Sequence, residues 1–325
     1  MSASTSSALL PRERVRDLLD GYPVDRTPIA EIAVPDRVIR ELTGLPREQA
    51  VPWAARRAVI ERLGHDLVTV EAPSVSDVAD AAADFCFWVR QWRQETALSV
   101  AVRTAGLLRR LIQIWGEGKA RSRLTSDPTQ GSPLLAESIL SMESIVQRAA
   151  AAGADLFVID DPLADREGLR WPEAMLRQAY IPFLTLLGEI VHRSGLRFFL
   201  RAPGDLTLLF EDLVASGLDG LQGGCIGEGM SLEEMRRVAG PSFCLWGGID
   251  VAWLALPGVD QWLVQQLRPW NTGPQGIPTI LGTRDGLTDS LDLSAVQRLD
   301  QVWARVSGCP SRLETSPRVE SHPPS

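Results

Sequence analysis

The sequence is poor in the residues that carry most metal and nucleophile chemistry. Three histidines (His65, His192, His322) and four cysteines (Cys86, Cys225, Cys244, Cys309) are spread over 325 residues. The cysteines form no Cys-x-x-Cys pair and no ladder of spacings, which argues against a disulfide framework and a zinc knuckle alike. Cys244 lies inside an apolar run and reads as a small core residue. His65 precedes a strand candidate, His192 falls within a helical stretch and His322 sits in a Pro/Ser-rich tail. No Ser/His/Asp set is assembled, so nucleophilic hydrolysis is disfavoured. Neither a metal nor a cofactor is expected.

Long apolar runs are missing too. None approaches the roughly 20 residues that span a bilayer, so no membrane partner is expected. The start, Met1 to Ala8, lacks a basic region followed by an apolar core and reads as a loose end, which places the protein in the cytoplasm. The net charge of −8 makes broad phosphate-backbone binding, and hence a nucleic-acid partner, a poor fit. Gly-x-Gly-x-x-Gly and the P-loop pattern are both absent, which removes the glycine-rich phosphate turn of an open doubly wound sheet.

What is present is a rhythm. Leu196–Leu200 is an apolar run bounded by Gly195 and by Pro203-Gly204, and its polar residues, Arg201 and Asp205, arrive at its end. That is how a buried parallel strand reads. Similar runs are Pro28–Ala33, Leu67–Glu71, Leu98–Val102, Asp155–Ile159, Leu218–Gln222, Phe243–Trp246 and Pro278–Leu281, with helical patterns between them. The spacing predicts helices over Pro133–Ala152, over Pro172–Arg193 with a kink or break at Pro182, and over Ser231–Ala239 with a capping box from Ser231 to Glu234. Val75–Gln94 reads as a helix or an inserted hairpin, and Gly116–Gly131 as a loop. Eight strands alternating with helices predict an α/β fold, a single (β/α)8 TIM barrel with extra N-terminal helices. The barrel would run over residues 11–309, between disordered ends at 1–10 and 310–325.

In such a barrel the site lies at the carboxyl ends of the strands. The polar residues there are Glu31, Glu71, Arg103, Asp160 with Asp161, Arg201 with Asp205, Gln222, Asp250, and Arg284 with Asp285. Any one of them suits a wet loop; together they set acids and arginines around one mouth. Arginines there suit carboxylates or phosphates, and nearby carboxylates stabilise a cation or move a proton. A small-molecule substrate carrying several carboxylates follows. Arg201 would meet either Asp160 or Asp250, or a substrate carboxylate, the last being preferred. Most of the ten tryptophans read as core; the late group Trp246, Trp253, Trp262 and Trp270 has a homodimer face as its second reading.

Several of these stretches also resemble the uroporphyrinogen decarboxylase superfamily: Gly21–Pro28, Asp160–Gly168, Trp171-Pro-Glu173, Tyr180-Ile-Pro182, Pro203-Gly-Asp205, Gly217–Gln222, Gly247-Gly-Ile-Asp250 and Ile280–Thr283. The resemblance covers most of the chain and implies the same barrel. One branch of that superfamily decarboxylates the acetate arms of a tetrapyrrole without a cofactor; the other is corrinoid-linked methyltransferases that bind zinc. The methyltransferase pattern has His-x-Cys after the fifth strand and a Cys near the eighth, where this chain has Arg201-Ala-Pro203 and Gly282-Thr-Arg284. The decarboxylase pattern has Arg-Gln-Ala-Gly-Arg after the first strand, where this chain has Ile32–Arg37. The resemblance implies a metal-free decarboxylase (a carboxy-lyase) acting on a porphyrinogen or related polycarboxylate. Asp160, Asp161 or Glu71 would be catalytic; Arg103, Arg201, Asp205, Gln222, Asp250 and Arg284 would bind substrate. Its alternatives are a methyltransferase lacking the usual zinc ligands, and a barrel without catalysis that binds a tetrapyrrole or a partner protein.

Overall fold

The computed structural model describes residues 8–73, 82–225, 229, 231–240, 242–256, 258–270 and 277–313. Seven parallel strands follow one another around a curled sheet: β1 (Leu67–Glu71), β2 (Ser99–Ala105), β3 (Leu156–Asp160), β6 (Arg197–Arg201), β7 (Gly220–Cys225), β8 (Cys244–Ile249) and β9 (Thr279–Thr283). A short antiparallel hairpin, β4 (Ala164–Asp165) with β5 (Gly168–Leu169), rises between β3 and β6. The ring closes through residues 28–33. Ile29 forms a parallel bridge with Leu281, Ala30 N–H donates to Leu281 O at 2.9 Å, and Asp66 N–H donates to Ile29 O at 2.7 Å. The fold is a (β/α)8 barrel.

The eighth strand is a single rung, shorter than the run Pro28–Ala33 predicts, and side chains explain why. In a parallel ladder the Thr283 amide would go on to Ala30 O. Instead Thr283 N–H donates to the Glu31 carboxylate at 3.0 Å, and Ala30 O accepts from the Trp246 indole at 2.8 Å. Both ladder groups are satisfied elsewhere, so the pairing with β9 stops there; on the other side, among the described residues, no bridge to β1 follows the bonds between Asp66 and Ile29.

Alternation along the strands sorts two layers. Leu67, Ala101, Leu156, Val158, Phe199, Cys244, Trp246 and Ile280 fill the interior with Ala30 and Ile32. Their neighbours, such as Val68, Val102, Phe157, Ile159, Phe198, Leu200 and Leu245, pack outward against the helices. Phe199 and Trp246 are large for a barrel interior, and glycines make room. A Cβ at Gly220 would strike the Phe199 ring, and one at Gly282 would strike Ala30 O and crowd Trp246. The helix Pro11–Leu19 closes the amino-terminal end, its Val15, Leu18 and Leu19 joining the interior cluster. Each apolar side chain so buried contributes on the order of 1.5–3 kcal/mol.

Four local expectations change. The stretch read as a loop holds the helix Glu117–Ser126 and a 3-10 turn at Pro128–Gly131. The irregularity expected at Pro182 falls just before it: a π turn at Leu176–Tyr180 separates Glu173–Met175 from Ile181–Arg193 within one helical run. The tail is held as far as Leu313, because the Asp300 carboxylate accepts from Ser311 Oγ and from the amides of Arg312 and Leu313. At the other end Leu9 N–H donates to Asp25 and Leu10 N–H to Glu13. Ser231 Oγ accepts from Glu234 N–H at the start of Leu232–Ala239, which is one half of the expected capping box. Of Val75–Gln94, the described part is the helix Ala82–Glu95; residues 74–81 lie outside the described residues, as do 314–325.

Candidate active site

The last inward position of each strand decides what faces the mouth. Leu156 and Val158 point into the barrel, so Asp160 does too, and Asp161 points out. Phe199 likewise carries Arg201 inward, Ala101 carries Arg103, and Ile280 carries Arg284.

These residues assemble into one ionic chain across the mouth. Arg109, from the first turn of the helix Leu107–Trp115, donates from Nη2 to Asp160 at 2.8 Å and from Nε to the Asp160 carbonyl at 3.0 Å. Asp160 also accepts from Arg201 Nη1 at 3.1 Å. Arg201 Nη2 donates to Asp285 at 2.7 Å, and Asp285 accepts from Arg284 Nε at 2.8 Å. Arg284 Nη2 lies 3.1 Å from Asp250, which also pairs with Arg166 of the β4–β5 hairpin. Four arginines alternate with three aspartates, leaving a surplus of one positive charge. Arg201 is held by Asp160 and Asp285. A carboxylate of this chain, not of a substrate, meets each end of its guanidinium, and the second partner is Asp285 where Asp250 was named.

Two polar atoms at the centre remain without a partner among the described residues. The Arg201 Nε–H and the Gln222 side-chain oxygen are buried and unpaired, and the two residues are register partners on β6 and β7. Gln222 is fixed by donating from Nε2 to Arg284 O at 3.1 Å. One donor and one acceptor are thus left side by side beneath the ionic chain. Buried groups of this kind call for water or a ligand.

The other expected residues go elsewhere. Asp161 is fully buried in the wall; it accepts from the amides of Leu107 and Arg109 at 2.9 Å and from Tyr180 OH at 3.0 Å. It caps a helix and closes a turn, and it is not at the mouth. Burial pushes its carboxyl up to about 7 against those hydrogen bonds, and burial next to Asp161 raises the Tyr180 phenol. Asp205 folds onto its own turn, accepting from the Thr207 amide and hydroxyl at 2.9 and 2.6 Å. Glu71 pairs with Arg103 on the rim. Glu31 turns outward toward the helix Leu293–Ser307 and does not join the mouth. Arg109 and Arg166 were not anticipated: both come from segments outside the strands and reach the mouth on long side chains. Among the described residues no three His, Cys, Asp or Glu side chains are grouped to hold a metal ion, and no helix is long and apolar enough to cross a membrane.

Fold and mouth together describe a (β/α)8 barrel with a charged opening at its carboxyl end. Comparison with solved structures agrees with that fold through one superposition above all. A methyltransferase from Methanosarcina mazei superposes with a TM-score of 0.69 at 17% identity, covering 91% of this chain and 98% of its own. The IOLI protein with a bound zinc atom (TM-score 0.48, 11% identity, 80% and 95% covered) and a D-psicose 3-epimerase in the presence of D-fructose (0.48, 10%, 79% and 94%) follow. No family model matches the chain, and no curated protein does.

Proposed function

We propose that this chain is a barrel enzyme that binds a small polycarboxylate at the mouth and decarboxylates it without a metal. The observation that carries this reading is the unpaired couple at the centre, Arg201 Nε–H beside the Gln222 oxygen, under a positively biased chain of arginines. A carboxyl-bearing group offers an acceptor to the first and, from a neighbouring N–H or O–H, a donor to the second. The arginines are fixed before substrate arrives, because Asp160, Asp285 and Asp250 hold them, so little ordering is required at binding.

In the reaction the carbon–carboxylate bond breaks, CO2 leaves, and a proton takes its place on the carbon. Arg109, Arg201 and Arg284 orient the remaining carboxylates. Asp160 faces the cation that forms when a pyrrole-like ring is protonated ahead of CO2 loss, and preorganised charge of this kind contributes about 10²–10³ in rate. Arg103, released from Glu71, would bind a further carboxylate on the rim.

Methyl transfer is the second reading, favoured by the fold shared with the Methanosarcina mazei protein over nearly its whole length. Incubation with a panel of porphyrinogens and smaller tricarboxylates under reducing conditions, following CO2 release and product mass, tests both. The expected result is loss of 44 mass units per turnover, reduced about 100-fold or more in Asp160→Asn. Consumption of a methyl donor with no CO2 would move the reading to methyl transfer. Binding without turnover of any panel member would make the barrel a carrier.

A further inference from the structure

The unzipped seam between residues 30–33 and β1 opens into a cavity of about 70 Å³, lined among others by Glu31, Ile32, Arg56, His65 and Thr69. Ile32 and Thr69 belong to the inner face of the barrel, Glu31 and His65 to the outer layer, so the cavity passes through the wall where the ladder is missing. Three of its residues carry buried side-chain atoms with no partner: Glu31 Oε1, His65 Nδ1 and Thr69 Oγ1. Glu31 is 3% exposed and His65 5%.

Glu31 keeps one buried oxygen, Oε1, that completes no hydrogen bond, with the Trp303 indole its nearest donor on the helix side. Its Oε2 takes both the amide and the hydroxyl of Thr283. Asp66 and Asp250 are met by arginines, and Asp161 and Asp300 by three donors each. The charged neighbours of Glu31 are few. Arg56 borders the cavity but is bound to Asp36, Asp300 lies beyond a smaller cavity that Glu31 and His65 also border, and Arg312 acts on His65 from outside. Burial, with Arg312 nearby, pushes His65 down to about 3, so its ring is neutral and one ring nitrogen is an acceptor.

We propose that this seam cavity is a binding site for a small protonated amine, the ammonium ion or the head of a short primary amine. An ammonium group brings three or more N–H donors and no acceptor. The wall offers a carboxylate oxygen, a ring nitrogen and a hydroxyl as acceptors. The positive charge answers the buried carboxylate, which is otherwise costly to keep ionised. Calcium and magnesium ask for six or more oxygens and do not suit a set that includes a ring nitrogen. The volume is about half that of a cavity that takes benzene, so the guest has only a few heavy atoms. The site is apart from the mouth and does not depend on the reaction proposed there.

The test is thermal denaturation of the full chain in phosphate at pH 7.5, in ammonium, methylammonium, potassium or tetramethylammonium chloride at equal ionic strength. Ammonium and methylammonium should raise Tm by about 2 °C or more over the other two salts, as mass action requires of a ligand that binds only the folded state. Glu31→Gln should abolish that increment. Thr69→Val, which leaves the carboxylate in place, should reduce it, and this keeps the test decisive if the first variant folds poorly. Equal Tm in all four salts, or an ammonium increment that survives Thr69→Val undiminished, overturns the proposal and leaves the cavity to water.

Discussion

The two ends of this barrel are built from the same pair of residues, arginine and aspartate, and use them differently. At the amino-terminal end each aspartate stands just before a strand and accepts an amide of the preceding one. Asp66 takes Ile29 N–H, Asp155 takes Val100 N–H and Asp219 takes Phe198 N–H, at 2.9, 2.9 and 2.7 Å. The arginines are added to that: Arg14 and Arg26 on Asp66, Arg93 on Asp155, Arg197 with His192 on Asp219. There a carboxylate substitutes for the carbonyl that a parallel ladder lacks at its edge, and the charge is consumed in stitching strands. At the mouth Asp160 and Asp285 meet side chains only. Their arginines are positioned rather than used up, and a donor and an acceptor are left over. One end closes a structure; the other holds charge ready.

The comparison breaks first at Asp66. It is completely buried and meets two arginines and an amide. Asp66→Asn leaves Arg26 without its carboxylate and Arg14 with Asp25 alone, and should cost about 3–5 kcal/mol in chemical denaturation. Carboxylate binding at the mouth should be unchanged in the folded fraction. A loss below about 1 kcal/mol would mean that the closed end is not what ties the strands.

A second measurement concerns Glu31, which belongs to neither end. Burial, partly offset by Thr283 and the Trp303 indole, pushes its carboxyl up to about 7. The native chain therefore keeps a proton that the unfolded chain releases, and stability falls as pH rises from about 4.5 to about 7, then levels. His65, neutral throughout that range, Asp300, Arg56 and Arg312 are the other charged or titratable groups near it. Glu31→Gln lacks the released proton, so its stability relative to the parent should climb by up to about 3 kcal/mol across that window in amine-free buffer. Asp161 contributes a similar slope in both proteins. A difference between the two that is flat with pH would show Glu31 ionised throughout.

Arg201 gives the next effect. Its partners are less buried than those of Asp66, Asp285 being about one-third exposed, so Arg201→Met should cost about 1–3 kcal/mol, less than Asp66→Asn. Polycarboxylate affinity, read by calorimetry, should fall at least tenfold. Stability loss with affinity intact would place the mouth with the closed end.

Much of this was legible. Eight strand ends and their polar residues can be read because each apolar run stops at or just before a polar residue. What could not be read follows from the same runs. A strand buried on both faces, such as Leu156–Ile159, shows no alternation, so Asp160 and Asp161 look alike until the register assigns one to the interior and one to the wall. Arg109 lies on a helix, and only its reach back to Asp160 makes it part of the site. The helix Glu117–Ser126 is anchored by just Ala120 and Leu124, too little for a period to emerge. The early end of the ladder at Ala30 depends on Trp246 and Thr283, more than 200 residues away.

The smallest effect on stability should come from Glu71, and it separates the two ends most cleanly. Glu71 is on the rim, 58% exposed on its side chain, paired with Arg103 across the β1–β2 register. Exposed pairs contribute about 0–1 kcal/mol, so Glu71→Gln should leave denaturation almost unchanged. At the closed end, removing an acid can only take something away. At the mouth, removing this one frees Arg103 and adds a further positive charge beside Arg201 and Arg284. Affinity for a tricarboxylate should therefore rise, by about two- to fivefold at low salt, and the gain should fade as ionic strength increases. An unchanged or weaker affinity would mean that Arg103 does not face the ligand, and the binding surface would then contract to Arg109, Arg201, Arg284 and Gln222.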